Sequence, residues 1–283
     1  MTRLLVTGGT GFVGGRVLAR AGPTWEATGT YHVAPPPARP WAWQRLELRD
    51  AAGLDACLAA ARPDVVIHAA YDKGAPEAVI AGGTTDLVAA ATRVGARVLL
   101  VSTDLVFDGR QGNYREDAPP APLAAYGAAK VVAERAVLAA GGLVVRTSLV
   151  YRVRPPDPAN QGLLTAPLAR GETPCLFTDE YRTPIHDDDL ADALLELAAW
   201  PPEAWAALPA GGILHVAGPE RLDRYTFALR LAPHLGVDPA RLRAGTLAAS
   251  GLVRAADSSL DASRARALLR RPPRPLDVVL GEV

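Results

Sequence analysis

The residue pair with the clearest chemical meaning is a tyrosine followed four positions later by a lysine, Tyr126 and Lys130. On a helix this spacing places both side chains on one face, about one turn apart. A nearby ammonium stabilises a phenolate and lowers the pKa of tyrosine from its usual value of about 10. Tyr126 could then give a proton to a carbonyl oxygen while hydride reaches the carbon, and Lys130 could hydrogen-bond a nicotinamide ribose. The alternative is a surface lysine beside a half-buried tyrosine.

A hydroxyl run follows the fifth predicted strand, at Ser102-Thr103-Asp104. Active-site loops of parallel sheets form at such strand ends. The hydroxyl of Thr103 could hydrogen-bond the substrate oxygen and share the negative charge that develops there. Alternatively, the hydroxyl run only caps a turn.

A glycine-rich turn follows the first apolar strand, with Gly8, Gly11 and Gly14 at three-residue spacing. Such a turn brings the backbone close to a pyrophosphate, and the helix behind it offers free N–H groups and a positive dipole end. The alternative is a glycine-rich turn that binds nothing. The other members of the predicted dinucleotide site are Thr10, Phe12 and Val13 in the same turn, and Ala69 and Ala70 after the fourth strand.

The end of the second predicted strand indicates which dinucleotide binds. In NAD-binding sheets an acidic residue about 20 residues after the glycine turn binds the ribose 2′-OH. Residues 29–33 contain no acid, so we expect NADP(H) to be preferred, with NAD(H) possible. His32 could tolerate a 2′-phosphate, or it could be an exposed loop histidine. Asp50 could accept a hydrogen bond from the adenine amine, or it could cap the helix that begins near Ala51.

Short apolar strands and helices alternate over the first 150 residues and would position these groups. This alternation predicts an α/β fold, a Rossmann-type doubly wound parallel sheet with helices on both faces. The predicted strands lie near residues 4–6, 26–31, 45–48, 64–68, 97–101 and 143–146, and the predicted helices include 12–21 and 77–94, with Gly95 as a cap.

Prolines mark the loops and suggest the domain organisation. The cluster at residues 155–158 separates a predicted NADP-binding domain, residues 1–154, from a smaller mixed α/β substrate-binding part, residues 155–283. A strand near 213–216 and a helix at 187–199 could return to the first domain. The other elements predicted after the boundary are helices near 160–170, 223–235 and 261–269 and a strand near 174–177.

Composition excludes several classes of protein. The 30 basic and 30 acidic residues cancel, so we expect no sequence-independent nucleic-acid binding. No run reaches about 18 apolar residues, so we expect no membrane-spanning helix. Cys57 and Cys175 are too few for a disulfide framework or a thiolate zinc site, which favours a cytoplasmic protein without a metal. We expect a monomer or a homodimer.

The order of these motifs resembles that of the extended short-chain dehydrogenase/reductase family. The glycine turn, Thr103 and the Tyr126–Lys130 pair stand in the family's order. Within the family the chain is most similar to the group of dTDP-4-dehydrorhamnose reductases. The segments that carry this similarity are residues 102–109, 122–127, 146–151, 180–185, 189–191, 215–218 and 259–261.

The resemblance implies an NADPH-dependent reductase of a 4-keto-6-deoxy nucleotide sugar. It assigns Tyr126 as proton donor, Lys130 as ribose binder and Thr103 as their hydroxyl partner. Arg182 stands where related enzymes often present an arginine to the substrate diphosphate, which suits a planar bidentate donor. Alternatively, Arg182 forms a structural salt bridge near the acidic residues 187–189. The full set of implied substrate contacts is Thr103, Asp104, Tyr126, Leu149 and Arg182.

The chain departs from the family pattern at a few positions. Leu149 replaces a tryptophan that is usual in these reductases, and Ile80 lies near the place of a common asparagine. Leu105 replaces the glutamate that dehydratases of this fold need, which argues against dehydration. Two alternatives stay open: a nucleotide-sugar epimerase of the same fold, and a non-catalytic NADP-binding subunit resembling the regulatory subunit of methionine adenosyltransferase.

Overall fold

The structure is a computed structural model that describes residues 1–33, 36–72, 74–153 and 166–282. The proline cluster at 155–158 and residues 160–165 of one predicted helix lie outside the described residues. The division into domains at residue 154 therefore stays a prediction.

The described chain has six strands in its first half, all but the second and third separated by helices or helical segments, and several short strands in its second half. They are β1 (Thr2–Thr7), β2 (Trp25–Tyr31), β3 (Ala42–Arg45), β4 (Val65–His68), β5 (Arg97–Thr103), β6 (Leu143–Thr147), β7 (Val150–Tyr151), β8 (Cys175–Phe177), β9 (Tyr181–Arg182), β10 (Ile185–His186), β11 (Ile213–His215), β12 (Leu222–Asp223) and β13 (Arg243–Gly245).

The central sheet has seven strands in the order β11-β6-β5-β4-β1-β2-β3, and every neighbouring pair is parallel. This architecture confirms the predicted α/β Rossmann-type fold. The strand order reverses beside β1, and the crevice at the carboxyl ends of β1 and β4 is where ligands bind in such sheets.

The third strand lies earlier than predicted, at Ala42–Arg45 instead of residues 45–48. The pairing with β2 fixes the position of β3, because Tyr31, the last residue of β2, lies opposite Arg45, the last residue of β3. Leu46 and Leu48 suggested a strand because they are apolar, but they are buried in the connection that follows β3.

The helices flank the sheet on both faces. The predicted helix 77–94 is instead a π-helical segment, Pro76–Gly82, that continues into α3, and Gly95 follows it with a φ of +74°. The helices are α1 (Phe12–Arg20), α2 (Ala51–Ala61), α3 (Gly83–Arg93), α4 (Ala125–Ala139), α5 (Ala166–Ala169), α6 (Asp187–Ala199), α7 (Pro202–Ala206), α8 (Pro209–Gly212), α9 (Arg224–Leu231), α10 (Leu247–Ser250), α11 (Ser263–Leu268) and α12 (Leu276–Gly281), with 3₁₀ turns at Asp104–Val106, Ala232–Leu235 and Pro239–Arg241.

Apolar residues bury both faces of the sheet, which explains the continuous apolar runs of its strands. On one face Leu4 and Val6 pack with α1 and α6. On the other face Leu5 packs in a second cluster with residues of α2, α3 and α4. Alternate residues of β1 thus anchor the two helical layers, and its carboxyl end is held rigidly between them.

The second half of the chain returns to the sheet before it forms its own small core. β11 pairs with β6, and α6 packs against α1, where Arg16 and Arg20 form ion pairs with Asp188. A separate apolar cluster joins α9, α12 and Tyr151. None of the described helices is both long and apolar enough to cross a bilayer.

Candidate active site

The glycine turn after β1 has a geometry that requires glycine. Gly8 has a φ of +66°, and a Cβ on Gly14 would lie 2.3 Å from the carbonyl oxygen of Gly8. The turn is fixed to β2, because the backbone N–H of Gly8 donates to Thr30 Oγ1 at 3.2 Å. Gly11 is the N-cap of α1, so the first N–H groups of that helix, including those of Phe12 and Val13, begin here.

A solvent-accessible cleft opens beside this turn. Its walls come from the carboxyl ends of β1, β2 and β4 and from the connection after β3, where the adenosine half of a dinucleotide binds in this fold. The predicted residues Gly8, Thr10, Gly11, His32, Ala69 and Ala70 line it. Lining residues that the sequence did not single out are Thr30, Tyr31, Leu46, Glu47, Leu48, Arg49, Tyr71, Asp72 and Val79.

Two residues proposed for the adenosine end have partners within the protein. Asp50 is the N-cap of α2, and its Oδ1 accepts a hydrogen bond from the backbone N–H of Gly53 at 3.0 Å. This is the capping alternative, and adenine contact stays a prediction. His32 Nε2 lies 2.7 Å from Glu47 Oε2, so an acid does reach the end of β2. Glu47 belongs to the connection after β3, so the sequence of β2 alone could not reveal it.

A buried hydrogen-bond chain supports the cleft floor. His68 Nδ1 lies 2.6 Å from Thr7 Oγ1, and its Nε2 lies 2.9 Å from Thr84 Oγ1. Thr7 Oγ1 also accepts from the backbone N–H of Ala70 at 3.3 Å, which fixes the segment after β4. Burial, followed by repulsion from Lys130, lowers the pKa of His68 to about 3, so its ring is neutral in this chain.

The structure brings together Thr103, Tyr126 and Lys130. Tyr126 lies in the first turn of α4, and Lys130 lies one turn later on the same helix. Thr103 is the last residue of β5, and its side chain is hydrogen-bonded to that of Tyr126. Thr103 Oγ1 also donates to Asp104 Oδ1 at 3.2 Å. The hydroxyls of Tyr126 and Thr103 therefore lie together at the carboxyl edge of the sheet.

The pKa of Tyr126 differs from the expectation that Lys130 lowers it. Burial raises this pKa well above its ordinary value, Tyr71 and Asp104 add to the rise, and the hydrogen bond between Tyr126 and Thr103 opposes it. The ammonium of Lys130 is directed elsewhere, because Nζ donates to the Val101 carbonyl at 2.9 Å. Tyr126 is therefore held protonated at neutral pH, as a proton donor must be.

Lys130 is a buried ammonium, with only 3% of its surface exposed. Burial lowers its pKa to about 8, and Glu134 partly opposes the change. Glu134 lies one turn further along α4 and is itself buried, with Oε2 accepting from Arg146 Nη2 at 2.7 Å and Oε1 from Ser102 Oγ at 2.5 Å. No pattern in the sequence marks this Glu134–Arg146 pair, which brings charge of both signs under the site.

Arg182 forms a different salt bridge from the one expected near residues 187–189. It is 6% exposed, and Nη2 lies 3.1 Å from Glu180 Oε1 while Nε lies 3.5 Å from Asp104 Oδ2. Asp104 Oδ2 also accepts from Ser148 Oγ at 2.7 Å. These bonds favour a structural role for Arg182, and its contact with a diphosphate stays a prediction. Leu149 is half-buried and packs against the small core of the second half.

Arg224, at the start of α9, is a candidate that the sequence analysis missed. Burial lowers its pKa to about 10, Glu180 opposes this change, and Arg182 and Arg254 add to it. Within the described part of the chain its guanidinium has no carboxylate within salt-bridge distance, whereas Arg182 and Arg254 both pair with Glu180. Arg224 is therefore a partly buried cation beside Asp104. No local sequence pattern marks it.

The relationship to known proteins agrees with this geometry. Residues 1–282 match the family described as RmlD substrate binding domain. The chain belongs to this family. A dTDP-4-dehydrorhamnose reductase of Streptomyces griseus is 33% identical over 298 residues, covering 99% of this chain and 92% of that protein. Methionine adenosyltransferase 2 subunit beta of Xenopus laevis is 31% identical over 258 residues, covering 85% and 74%.

Solved structures share the fold of this RmlD-family chain over nearly its whole length. A hypothetical dTDP-4-dehydrorhamnose reductase from Sulfolobus tokodaii has a TM-score of 0.81 at 29% identity and covers 99% of both chains. The dTDP-4-dehydrorhamnose reductase of Bacillus anthracis, solved in complex with NADP, has a TM-score of 0.79 at 20% identity over 99% and 97% of the chains. The predicted membership of the extended short-chain dehydrogenase/reductase family is confirmed.

One group of potential metal ligands in this RmlD-family protein lies away from the cleft. In the described residues, ligand atoms of His186, Asp187 and Asp188 lie within 4.8 Å of one another. Arg152 pairs with Asp187 at 2.5 Å, and Arg16 pairs with Asp188. The arginines neutralise these carboxylates, so the cluster is an ion-pair network between α1 and α6.

Proposed function

We propose that this protein is an NADPH-dependent reductase that converts the 4-keto group of dTDP-4-dehydrorhamnose to a hydroxyl. The observation that carries the proposal is the convergence of Thr103, Tyr126 and Lys130 beside a dinucleotide-type glycine turn. The named relative that aligns over 99% of the chain supports the substrate class. NADH is the second cofactor that the cleft would admit.

The residues of the cleft fit a dinucleotide. Gly8, Gly11 and Gly14 bring backbone close to the pyrophosphate position, and the N-terminus of α1 supplies N–H donors and a positive dipole end. The reduced nicotinamide supplies the hydride for the carbonyl carbon when it is bound. Lys130 lies within α4 where a ribose hydroxyl would accept its hydrogen bond in exchange for that of the Val101 carbonyl.

Side chains of the protein stabilise the negative charge that develops on the carbonyl oxygen. Tyr126 holds a proton that its raised pKa keeps in place until negative charge develops on that oxygen. Thr103 turns its hydroxyl proton from Asp104 Oδ1 to the same oxygen, and this second hydrogen bond lowers the energy of the developing charge. The N-terminal position of Tyr126 in α4 adds the positive end of the helix dipole, which stabilises the phenolate left after proton transfer.

The substrate diphosphate needs cations outside the dinucleotide cleft. Arg182, Arg224 and Arg254 surround Glu180 and Asp104, so this cluster has one more positive than negative group. Arg224 is the member without a carboxylate partner in the described residues. It can therefore bind a phosphate without first breaking an ion pair. We infer that Arg224 contributes to the nucleotide-sugar contact, with Arg182 holding Asp104 in position.

Two alternative functions, epimerisation and regulation without turnover, would give different results in the same assay. An epimerase of this fold would isomerise the sugar with no net change in the cofactor. A regulatory subunit, like the methionine adenosyltransferase relatives, would bind dinucleotide without turnover. The intact set of Thr103, Tyr126 and Lys130 favours turnover over a purely regulatory role. The relatives named as dTDP-4-dehydrorhamnose reductases favour reduction over epimerisation.

The decisive experiment measures NADPH oxidation by the purified protein with dTDP-4-dehydrorhamnose, together with the identity of the sugar product. We expect one dTDP-rhamnose formed per NADPH oxidised, and loss of both signals in Tyr126→Phe. Turnover no greater than that of Tyr126→Phe would contradict the proposal.

The state of the two cysteines bears on the compartment of the protein. Cys57 is buried and Cys175 is exposed, and both are free thiols, which fits a reducing cytoplasm. We infer a monomer or a homodimer. Light scattering on the purified protein would test the second inference, and a larger assembly would refute it.

A further inference from the structure

An acidic side chain lies at the carboxyl end of β2 although β2 does not contain it. β3 runs parallel to β2, and the N–H of Leu46 donates to the Tyr31 carbonyl at 2.8 Å, so the chain leaves β3 beside the end of β2. Glu47 comes next, with 25% of its side chain exposed, and it lines the cleft. Its Oε2 lies 2.7 Å from Nε2 of His32.

Glu47 also fixes the side chain of Arg49. Its Oε1 accepts from the backbone N and Nε of Arg49 at 3.0 and 3.1 Å, and its Oε2 accepts from Nη2 at 3.0 Å. These bonds, followed by the charge of His32, lower the pKa of Glu47 to about 2. Glu47 is therefore ionised at neutral pH, and Nε2 of His32 and the guanidinium of Arg49 are both directed to it.

We propose that Glu47 sets the balance between NADPH and NADH, by accepting the ribose 2′-OH of NADH and by competing with the 2′-phosphate of NADPH for Arg49 and His32. The inference rests on the proposed dinucleotide site, and not on the identity of the sugar. In sheets of this kind the 2′ position of the adenosine ribose lies at the end of the second strand. That is where Glu47, His32 and Arg49 meet.

The two cofactors place opposite demands on this group. A 2′-OH donates a hydrogen bond, and an ionised carboxylate is its strongest acceptor in a side chain. A 2′-phosphate is an anion, so Glu47 repels it. The phosphate also needs the planar guanidinium of Arg49, whose Nε and Nη2 edge is already bonded to Glu47. Relative to a protein without this acid, Glu47 thus strengthens NADH binding and weakens NADPH binding in two ways. It reduces the preference for NADPH that the sequence of β2 alone predicts.

The test compares the dissociation constants of four proteins for NADPH and NADH, and for the fragments 2′,5′-ADP and 5′-AMP. The proteins are the wild type and the variants Glu47→Gln, Arg49→Gln and Glu26→Gln. Glu26 is an exposed acid at the opposite end of β2, so it controls for a change in net charge. Thermal denaturation of each variant verifies that it is folded.

We expect Glu47→Gln to raise the ratio of the NADH to the NADPH dissociation constant about tenfold, because one repulsion and one charge-assisted acceptor are lost. Arg49→Gln should lower that ratio about tenfold. The fragments should change in parallel, and Glu26→Gln should stay within twofold of wild type.

A ratio for Glu47→Gln within twofold of wild type would overturn the inference, as would an equal change in Glu26→Gln. If wild type binds neither dinucleotide, the proposed function fails together with this inference. If wild type binds both and only the ratio is insensitive to Glu47, the inference alone fails.

Discussion

The buried ammonium of Lys130 has a calculable effect on stability, which the substitution Lys130→Met isolates. Methionine has a similar length and no charge. The protein lowers the pKa of Lys130 from 10.5 to about 8. At about 1.4 kcal/mol for each pKa unit, keeping the charged form buried at pH 7 costs about 3 kcal/mol of stability.

The sign of the pH dependence follows from the same pKa. Between about pH 8 and 10.5 the folded protein has lost the Lys130 proton, whereas the unfolded chain still binds it. Wild-type stability therefore gains with rising pH in this window, and Lys130→Met lacks that gain. From pH 7 to about pH 9.5 the wild type should gain about 2 kcal/mol relative to the variant.

Urea denaturation of both proteins at the two pH values measures this relative gain. The difference between the two pH values cancels the lost hydrogen bond to the Val101 carbonyl, which is the same at both. Arg135→Met, which removes an exposed cation from the same helix, should run parallel to wild type. A relative gain below about 0.5 kcal/mol would show that Lys130 does not titrate as a buried ammonium.

Three further substitutions test the site. Tyr126→Phe should lower kcat about 10²–10⁴-fold with an NADPH dissociation constant close to wild type, and more than a tenth of the wild-type rate would remove Tyr126 from its role. Gly14→Ala should destabilise the fold by about 2 kcal/mol and weaken NADPH binding, because the new Cβ meets the Gly8 carbonyl at 2.3 Å, and an unchanged melting temperature would contradict this. Arg224→Ala should raise KM for the nucleotide sugar about 10-fold or more while leaving NADPH binding unchanged, whereas an unchanged KM would leave the diphosphate to Arg182.

The sheet and the Tyr126–Lys130 pair were predictable because their signals are local. Apolar runs bounded by glycine and proline predict buried parallel strands, and a four-residue spacing on a helix predicts a shared face. The position of β3 was predicted wrongly, because Leu46 and Leu48 are buried in a connection, where apolar residues give the same signal as a strand.

The electrostatic details were not predictable, because they depend on residues that only the fold brings together. Glu47 reaches His32 through the pairing of β3 with β2. Arg182 meets Asp104 although 77 positions separate them in the sequence, and that contact gave no signal in either segment. The raised pKa of Tyr126 likewise depends on burial, which the Tyr–Lys spacing does not reveal.

The position of β11 has a consequence for how the chain is made. β11 forms the edge of the sheet beside β6, and α6 covers α1, so the nucleotide-binding layer is completed only when residue 215 has left the ribosome. A nascent chain that ends near residue 154 exposes the edge of β6 and the apolar side of α1. We expect such a fragment to aggregate or to be degraded, whereas a fragment that ends after β11 retains the whole layer. Limited proteolysis of the two truncated proteins would distinguish a stable layer from an incomplete one.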